Sequence, residues 1–103
     1  MKIWKYELKI GHNVITEINM PIGYSVLKVG VQEDKICLWA SVEPKTPKLK
    51  RHFICYYTGQ EIQPIPDRFI HEEHIDTVIF GNLVLHYFEL VNIGSDVLRL
   101  EEE

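Results

Sequence analysis

The amino-acid sequence predicts an all-β or mainly β domain, an antiparallel sandwich or small barrel of about seven strands. Apolar and polar residues alternate along most of the chain, which is the period of half-buried strands. Turn residues interrupt this alternation about every eight to twelve positions, a spacing typical of all-β folds. With 103 residues and 46% hydrophobic side chains, the chain is expected to form one domain over residues 1–103, with a thin core.

The N-terminal segment predicts two strands. In residues 4–10 every second residue is apolar and each one between is charged, as in a strand with one solvated face. Residues 11–13, Gly-His-Asn, are typical of a turn. Residues 14–20 alternate again, and we expect the two strands to form a hairpin that ends at residues 21–23.

The next two predicted strands differ in how many of their faces are apolar and must be buried. Residues 24–32 place Leu27, Val29 and Val31 on one face. Residues 36–42 are apolar on nearly both faces, and such a strand needs neighbours on both sides.

The middle of the chain combines a basic loop with a fifth strand. Residues 43–50 carry prolines and lysines and are predicted to be a loop, followed by a strand over residues 51–57. Glycine and prolines break regular structure in residues 58–67. Within them, residues 62–66 are expected to be extended, because a residue that precedes proline disfavours the helical region.

The last predicted hairpin joins residues 77–80 to residues 83–90 through Gly81-Asn82. Glycine first in a two-residue loop favours a type II′ turn. The tail over residues 95–103 is compatible with a flexible segment, a short helix capped by Ser95 or a final strand. Its three terminal glutamates would oppose the dipole of a helix.

The charge distribution gives the first candidate binding residues. The net charge of −4 argues against a general nucleic-acid binder, which is usually basic. Four cations nevertheless lie close together in residues 45–51 with no acid among them, and two tyrosines that could stack on bases follow. A solvated loop explains the lysines equally well. These candidates are Lys45, Lys48, Lys50, Arg51, Tyr56 and Tyr57.

The two cysteines predict a reducing environment. Cys37 and Cys55 both lie in apolar strands and are too few for a disulfide framework, so buried free thiols are expected. The first residues show no signal-peptide pattern, and no apolar run has membrane-spanning length. We therefore expect a cytoplasmic protein that does not enter a membrane.

Histidines are the remaining candidates for chemistry. His71 and His74 flank two glutamates and are weak metal-ligand candidates, because residues three apart on a strand face opposite sides. We expect residues 71–74 to form a solvated polar turn, with Ile70 and Ile75 as its anchors. His86 lies in an apolar strand with no nucleophile motif beside it, and a buried or interface histidine is expected. No cofactor and no enzymatic activity are predicted.

The aromatic strands predict self-association. Strands 36–42, 51–57 and 83–90 are apolar on both faces, and a sandwich buries only one face of each sheet. Only the tail over residues 95–103 is available to cover the remainder. We therefore expect a twofold homodimer or a protein partner, with Trp39 and Tyr56 among the contact residues.

Three segments resemble a family of small uncharacterised proteins of tailed bacteriophages and prophages. They are MKIWKYEL at residues 1–8, CLWASVEP at residues 37–44 and LVLHYFE at residues 83–89. The resemblance covers most of residues 1–90 and implies a small accessory protein in an infected bacterial cytoplasm. It implies no catalytic residues.

Four functions remain open at this point. The first is a non-enzymatic accessory protein that binds a host protein or ligand, for host modulation or counter-defence. The alternatives are a self-associating virion or assembly component, a metal-dependent enzyme built on His71 and His74, and a single-strand nucleic-acid binder. Binding that is insensitive to salt would favour the protein-binding hypothesis over the nucleic-acid one.

Overall fold

A computed structural model describes residues 1–92, and these form seven antiparallel strands in two sheets without a helix. The all-β class and the number of strands are thus confirmed. The predictions for residues 95–103 lie outside the described residues. The strands are β1 (Lys2–Leu8), β2 (Val14–Pro21), β3 (Tyr24–Gln32), β4 (Lys35–Val42), β5 (Lys48–Tyr57), β6 (His71–Phe80) and β7 (Leu83–Val91).

The sheets have the strand orders β1-β4-β3 and β2-β5-β7-β6. The predicted hairpin of the first two strands is therefore wrong, because β1 and β2 lie in different sheets. Alternation shows that a strand has one buried face but does not identify the strand that it pairs with. Residues 9–13 connect β1 in one sheet to β2 in the other. In this connection the Lys9 amide donates to Thr16 Oγ1 at 2.8 Å, and the Tyr87 hydroxyl donates to the Lys9 carbonyl at 3.0 Å.

The core lies between the two sheets. From β4, Ile36 and Leu38 point inward and are fully buried, as are Leu85 and Tyr87 of β7. Such side chains contribute about 1.5–3 kcal/mol each by leaving water. The sequence predicts a strand over residues 36–42 that is apolar on nearly both faces, and the structure places Ile36, Leu38, Ala40 and Val42 on its inward face.

Two tight turns follow from backbone geometry. Gly81 has φ +60° and the following Asn82 does not, which fits the predicted type II′ turn between β6 and β7. Glu33 and Asp34, between β3 and β4, both have positive φ, the pattern of a type I′ turn. Both turns twist in the sense that adjacent antiparallel strands require.

Strand β6 begins at His71, so the predicted polar turn over residues 71–74 is wrong. A bulge between His74 and Asp76 shifts the alternation, which is why the pattern did not indicate a strand. The Asp76 carboxylate accepts hydrogen bonds from the Thr77 amide at 2.9 Å and from the Val29 amide at 2.8 Å. Asp76 thereby links the edge of one sheet to the edge of the other.

Residues 58–70, here called the covering segment, fold back over the outer face of the four-stranded sheet. Phe69 is buried there in a second apolar cluster with Ile54, Tyr56 and Leu90. The expectation that only the tail could cover this side of β5 is therefore wrong. The apolar side chains of the covering segment are widely spaced between prolines, and their pattern does not indicate a covering layer.

Both ends of the covering segment are fixed to the sheet. His12 Nδ1 accepts a hydrogen bond from the Tyr57 amide at 3.0 Å, and His12 Nε2 donates one to the Glu61 carbonyl at 2.7 Å. At the other end, the Ile70 amide donates to the Val91 carbonyl at 3.0 Å. The connection from β5 to β6 is therefore part of the packed structure.

Candidate functional site

A polar cleft of about 500 Å³ opens on the outer face of the four-stranded sheet, where β5 begins. We call it the basic cleft. Strands β2 and β5 form its floor, and the covering segment forms one side. The lining residues are Glu17, Asn19, Lys48, Leu49, Lys50, His52 and Arg68.

Strand alternation positions the cations of β5. Lys48, Lys50 and His52 occupy alternate positions and share the outer face, whereas Leu49 is buried beneath them. The sequence predicted a loop up to residue 50, but β5 already starts at Lys48. The Cα atoms of the two lysines are therefore about 7 Å apart on one strand. Lys48 Nζ lies 5.9 Å from the centre of the Trp4 ring.

Strand β2 supplies the rest of the floor. In the antiparallel register Glu17 lies across from His52 and Asn19 across from Lys50. Directly opposed residues on one face are near neighbours, which brings these side chains into a single site. His52 donates from Nε2 to Glu17 Oε1 at 2.9 Å.

Arg68 comes from the covering segment and is placed by its neighbour Phe69. The guanidinium carbon of Arg68 lies 4.7 Å from the centre of the Phe69 ring. That ring in turn lies 5.1 Å from the His52 ring, centre to centre. Buried Phe69 therefore holds the third cation at the edge of the cleft.

Three cations face one carboxylate in the basic cleft. The hydrogen bond from His52 lowers the pKa of Glu17, and the charges of Lys50 and Arg68 add to the effect. Glu17 is thus ionised at neutral pH, yet Lys48, Lys50 and Arg68 leave an excess of positive charge. Such a cleft favours a ligand that carries several negative charges.

Arg51, a predicted binding residue, points inward instead. Its Nε and Nη2 donate to Glu89 Oε2 at 2.8 and 2.7 Å, and the Tyr24 hydroxyl donates to the same oxygen. Its guanidinium also lies over the Tyr24 ring. Arg51 therefore has a structural role at one end of the core. Lys45 lies on the exposed connection before β5 and does not line the cleft.

The predicted stacking residues Tyr56 and Tyr57 offer little open ring surface. Tyr56 is buried on the outer face of the four-stranded sheet, and its hydroxyl donates to Glu72. Burial raises the pKa of Tyr56 above that of a free tyrosine. Tyr57 is half-buried and packs beside His12, at the opposite end of β5 from the cleft.

His86 belongs to a chain of hydrogen bonds at that opposite end. Its Nδ1 lies 3.1 Å from Thr77 Oγ1, and its Nε2 lies 2.6 Å from Thr58 Oγ1. Thr77 Oγ1 is also 2.9 Å from His74 Nε2. Both nitrogens of His86 are therefore satisfied, by two threonines that sequence reasoning did not identify.

His71 and His74 point to opposite sides of β6. His71 contacts Glu73 at 3.2 Å, whereas His74 contacts Thr77. Within residues 1–92, no group of three or more His, Cys, Asp or Glu side chains is arranged to hold a metal ion. The metal hypothesis for this pair therefore finds no geometric support.

Trp39 lies on the outer face of the three-stranded sheet, across from Lys5 on one side and Lys28 on the other. A Cβ atom added to Gly30 would lie 3.5 Å from the Trp39 ring, which shows that the ring leans over this glycine. Lys5 donates to Gln32 at 2.8 Å across the same surface. Trp39 is thus distant from the basic cleft, on the other sheet.

The fold and the cleft define a small all-β domain with a polar cleft lined by cations. Residues 1–95 match the model of a family described as a domain of unknown function, DUF7352, and the chain belongs to that family. No curated protein and no solved structure matches the chain. In the part of the chain that the structure describes, we find no helix of the length and apolarity needed to cross a membrane.

Proposed function

We propose that this domain is a non-enzymatic binding module whose basic cleft holds an acidic segment of a partner protein. The observation that carries the proposal is the convergence of Lys48, Lys50 and Arg68 on one cleft opposite a single carboxylate, Glu17. The chain as a whole has a net charge of −4. A local excess of cations attracts anions to this cleft even though the chain as a whole is acidic.

The spacing of the cations suits an extended peptide. Lys48 and Lys50 are two residues apart on β5, as are alternate side chains of any extended ligand. A peptide that runs along the strand would place successive outward carboxylates against the two ammonium groups. Asn19 and Arg68 can supply further hydrogen bonds, and a guanidinium can bind a carboxylate through two of them.

An acidic protein segment fits the cleft better than single-stranded nucleic acid. Proteins that bind single strands combine positive charge with exposed aromatic rings on which bases stack. Of the aromatic rings near the basic cleft, Phe69 is buried, and Trp4, whose ring centre lies 5.9 Å from Lys48 Nζ, is half-buried and packs against the core. Of the two tyrosines predicted to stack on bases, Tyr56 is buried and Tyr57 is half-buried beside His12, at the opposite end of β5.

The resemblance to phage and prophage proteins suggests the setting of this binding. It implies a bacterial cytoplasm, in which the partner would be a host protein and the outcome host modulation or counter-defence. The proposal then concerns an accessory protein that acts by occupancy. Neither His71 nor His74 has a part in it.

Fluorescence anisotropy with a labelled hexaglutamate peptide tests the proposal. The full-length chain should bind the peptide, and K48Q/K50Q should weaken binding by about tenfold or more, because two charged contacts are lost. The matched control is K28Q/K35Q, which removes the same charge from the other sheet and should leave binding unchanged.

Three results would overturn this proposal. One is the absence of hexaglutamate binding at low salt. Another is an equal loss of affinity in K48Q/K50Q and K28Q/K35Q. The third is tighter binding of a ten-nucleotide thymidine strand than of hexaglutamate at the same salt concentration, which would favour the nucleic-acid hypothesis.

A further inference from the structure

Strand β2 is an edge of the four-stranded sheet and borders the basic cleft. In the described part of the chain it pairs only with β5, and its Glu17 and Asn19 line the cleft. Just beyond β2, the Ile22 amide donates to the Pro47 carbonyl at 2.9 Å, which continues the register of the two strands. Hydrogen-bonded pairs alternate along an antiparallel ladder, so the even-numbered residues of β2 bond to β5.

Three odd-numbered residues of β2 therefore turn their main-chain N–H and C=O groups away from β5. They are Ile15, Glu17 and Asn19, and no strand within residues 1–92 pairs with them on that side. Pro21 occupies the next outward position and has no N–H, so the row of donors ends there. An unpaired row of this kind is a template for an added strand.

The basic cleft lies within reach of such a strand. In the register of β2 and β5, Lys50 lies across from Asn19 and Lys48 across from Pro21. A strand added to β2 would lie about 10 Å from β5, which is two strand spacings. The long side chains of lysine and glutamate can meet over the shorter side chains of Asn19 and Pro21, so outward carboxylates on the added strand can pair with both lysines.

The inner face of an added strand would meet apolar surface. The Asp76 carboxylate joins β6 to Val29 of β3, so β1 and β2 lie together on the opposite side of the sandwich. Trp4 and Tyr6 of β1 pack against the core but are only half-buried. Apolar side chains that point inward from an added strand would cover these two rings.

We propose that the acidic segment binds as an added strand on the free edge of β2, with acidic and apolar residues in alternation. Its carboxylates face Lys48 and Lys50, and its apolar side chains face Trp4 and Tyr6. The inference rests on the proposed function, because it specifies how the same acidic segment is held. In such strand addition, main-chain hydrogen bonds supply affinity and alternate side chains supply specificity.

Amide hydrogen exchange of the full-length ¹⁵N-labelled chain tests the added strand directly. The amides of Glu17 and Asn19 have no ladder partner and should exchange rapidly. A saturating hexapeptide of alternating glutamate and valine should slow both by about tenfold or more, because a hydrogen-bonded amide exchanges only when its bond opens. The amides of Ile18 and Met20 are the control, since they already bond to β5 and should change little.

Two N-methylated forms of the hexapeptide test the main-chain bonds without changing charge. One carries methyl groups on its glutamate nitrogens and the other on its valine nitrogens. Only one of the two sets of amides can face β2, because N–H groups alternate along a strand. One form should therefore bind at least about tenfold more weakly than the other. Equal affinities would overturn the added strand.

A pair of substitutions at one position tests the edge itself. Glu17→Pro and Glu17→Gln remove the same carboxylate, but only proline removes the N–H that points away from β5. Glu17→Pro should bind the hexapeptide about tenfold more weakly than Glu17→Gln, since one main-chain hydrogen bond is lost. Thermal unfolding checks that both variants fold, and the N-methylated peptides decide the question if the proline variant does not.

The outcomes separate this inference from the proposed function. If hexaglutamate binds and K48Q/K50Q weakens it, but neither Glu17 nor Asn19 is protected and the methylated forms bind equally, the added strand is overturned and the proposed function stands. If the hexapeptide protects both amides with the same affinity for the native chain and K48Q/K50Q, the added strand stands and the proposed function fails.

Discussion

The outer faces of the two sheets differ in whether another segment of the chain covers them. On the four-stranded sheet the chain returns as the covering segment and buries Phe69 against Ile54 and Leu90. On the three-stranded sheet no segment of residues 1–92 lies over Trp39, which is flanked by lysines. The covering segment buries an aromatic face through Phe69 and completes the basic cleft through Arg68, so one segment contributes to both features.

Truncation of Phe69 is the strongest test of this difference. Phe69→Ala should lower the free energy of unfolding by about 3 kcal/mol, because it leaves a cavity beneath the covering segment. Trp39→Ala on the other face should cost about 1 kcal/mol, since its ring is partly solvated. Urea denaturation measures both. Equal losses would show that the two faces are packed to the same extent.

Cations that point to opposite faces of β5 should differ in their contribution to stability. Arg51→Met should cost about 2–3 kcal/mol, because it leaves the Glu89 carboxylate buried without its cation. The triple variant K45Q/K48Q/K50Q should change stability by less than about 0.5 kcal/mol, as exposed charges usually do. Thermal unfolding distinguishes them, and a large loss in the triple variant would give these lysines a structural role.

Self-association is a test of the uncovered face. The sequence predicts a twofold dimer, and the uncovered aromatic residue is Trp39 now that Tyr56 is buried by its own chain. Light scattering at micromolar concentration should give about twice 12.1 kDa, and Trp39→Ala should return the mass to that of one chain. A native chain that already scatters as a monomer contradicts the prediction.

Glu17 provides the smallest effect, at the edge of the covered face. Its folded pKa is lowered by the hydrogen bond from His52, so the folded state favours the carboxylate. That preference is fully present above the unfolded pKa of about 4.3 and is lost as the pH falls through the lower folded value. A carboxyl NMR titration should show the low pKa, and His52→Gln should raise it. An unchanged pKa in the variant would rule out the hydrogen bond as its main cause.

The sequence predicts most of the strands but not the partners of each strand. Alternation identified β1 and β2 as half-buried strands, and Gly81-Asn82 identified the turn between β6 and β7. The same pattern assigned β1 and β2 to one hairpin, since both strands are half-buried whichever sheet they join. It failed at β6, because the bulge beside His74 breaks the period of two.

The candidate site was predictable only in part, for a similar reason. Lys48 and Lys50 were recognised by their charge, and their alternation with His52 in the sequence was a usable signal of a shared strand face. Glu17 and Arg68 come from other elements, and only strand pairing and the covering segment bring them to the lysines. No local sequence pattern indicates that Glu17 and Arg68 lie beside the lysines.

Asp76 has a consequence for how the molecule assembles. One of its oxygens completes the bulge on its own strand, and the other accepts the amide of Val29, 47 positions away in the chain. The bulge in β6 and the contact between β6 and β3 therefore depend on the same carboxylate. If β6 joins its sheet before β3 has docked, one oxygen of this carboxylate still lacks its protein partner. The docking of β3 against β6 thus depends on the geometry of a single bulge. The two sheets cannot slide past each other at this edge without breaking the hydrogen bond between Asp76 and the Val29 amide.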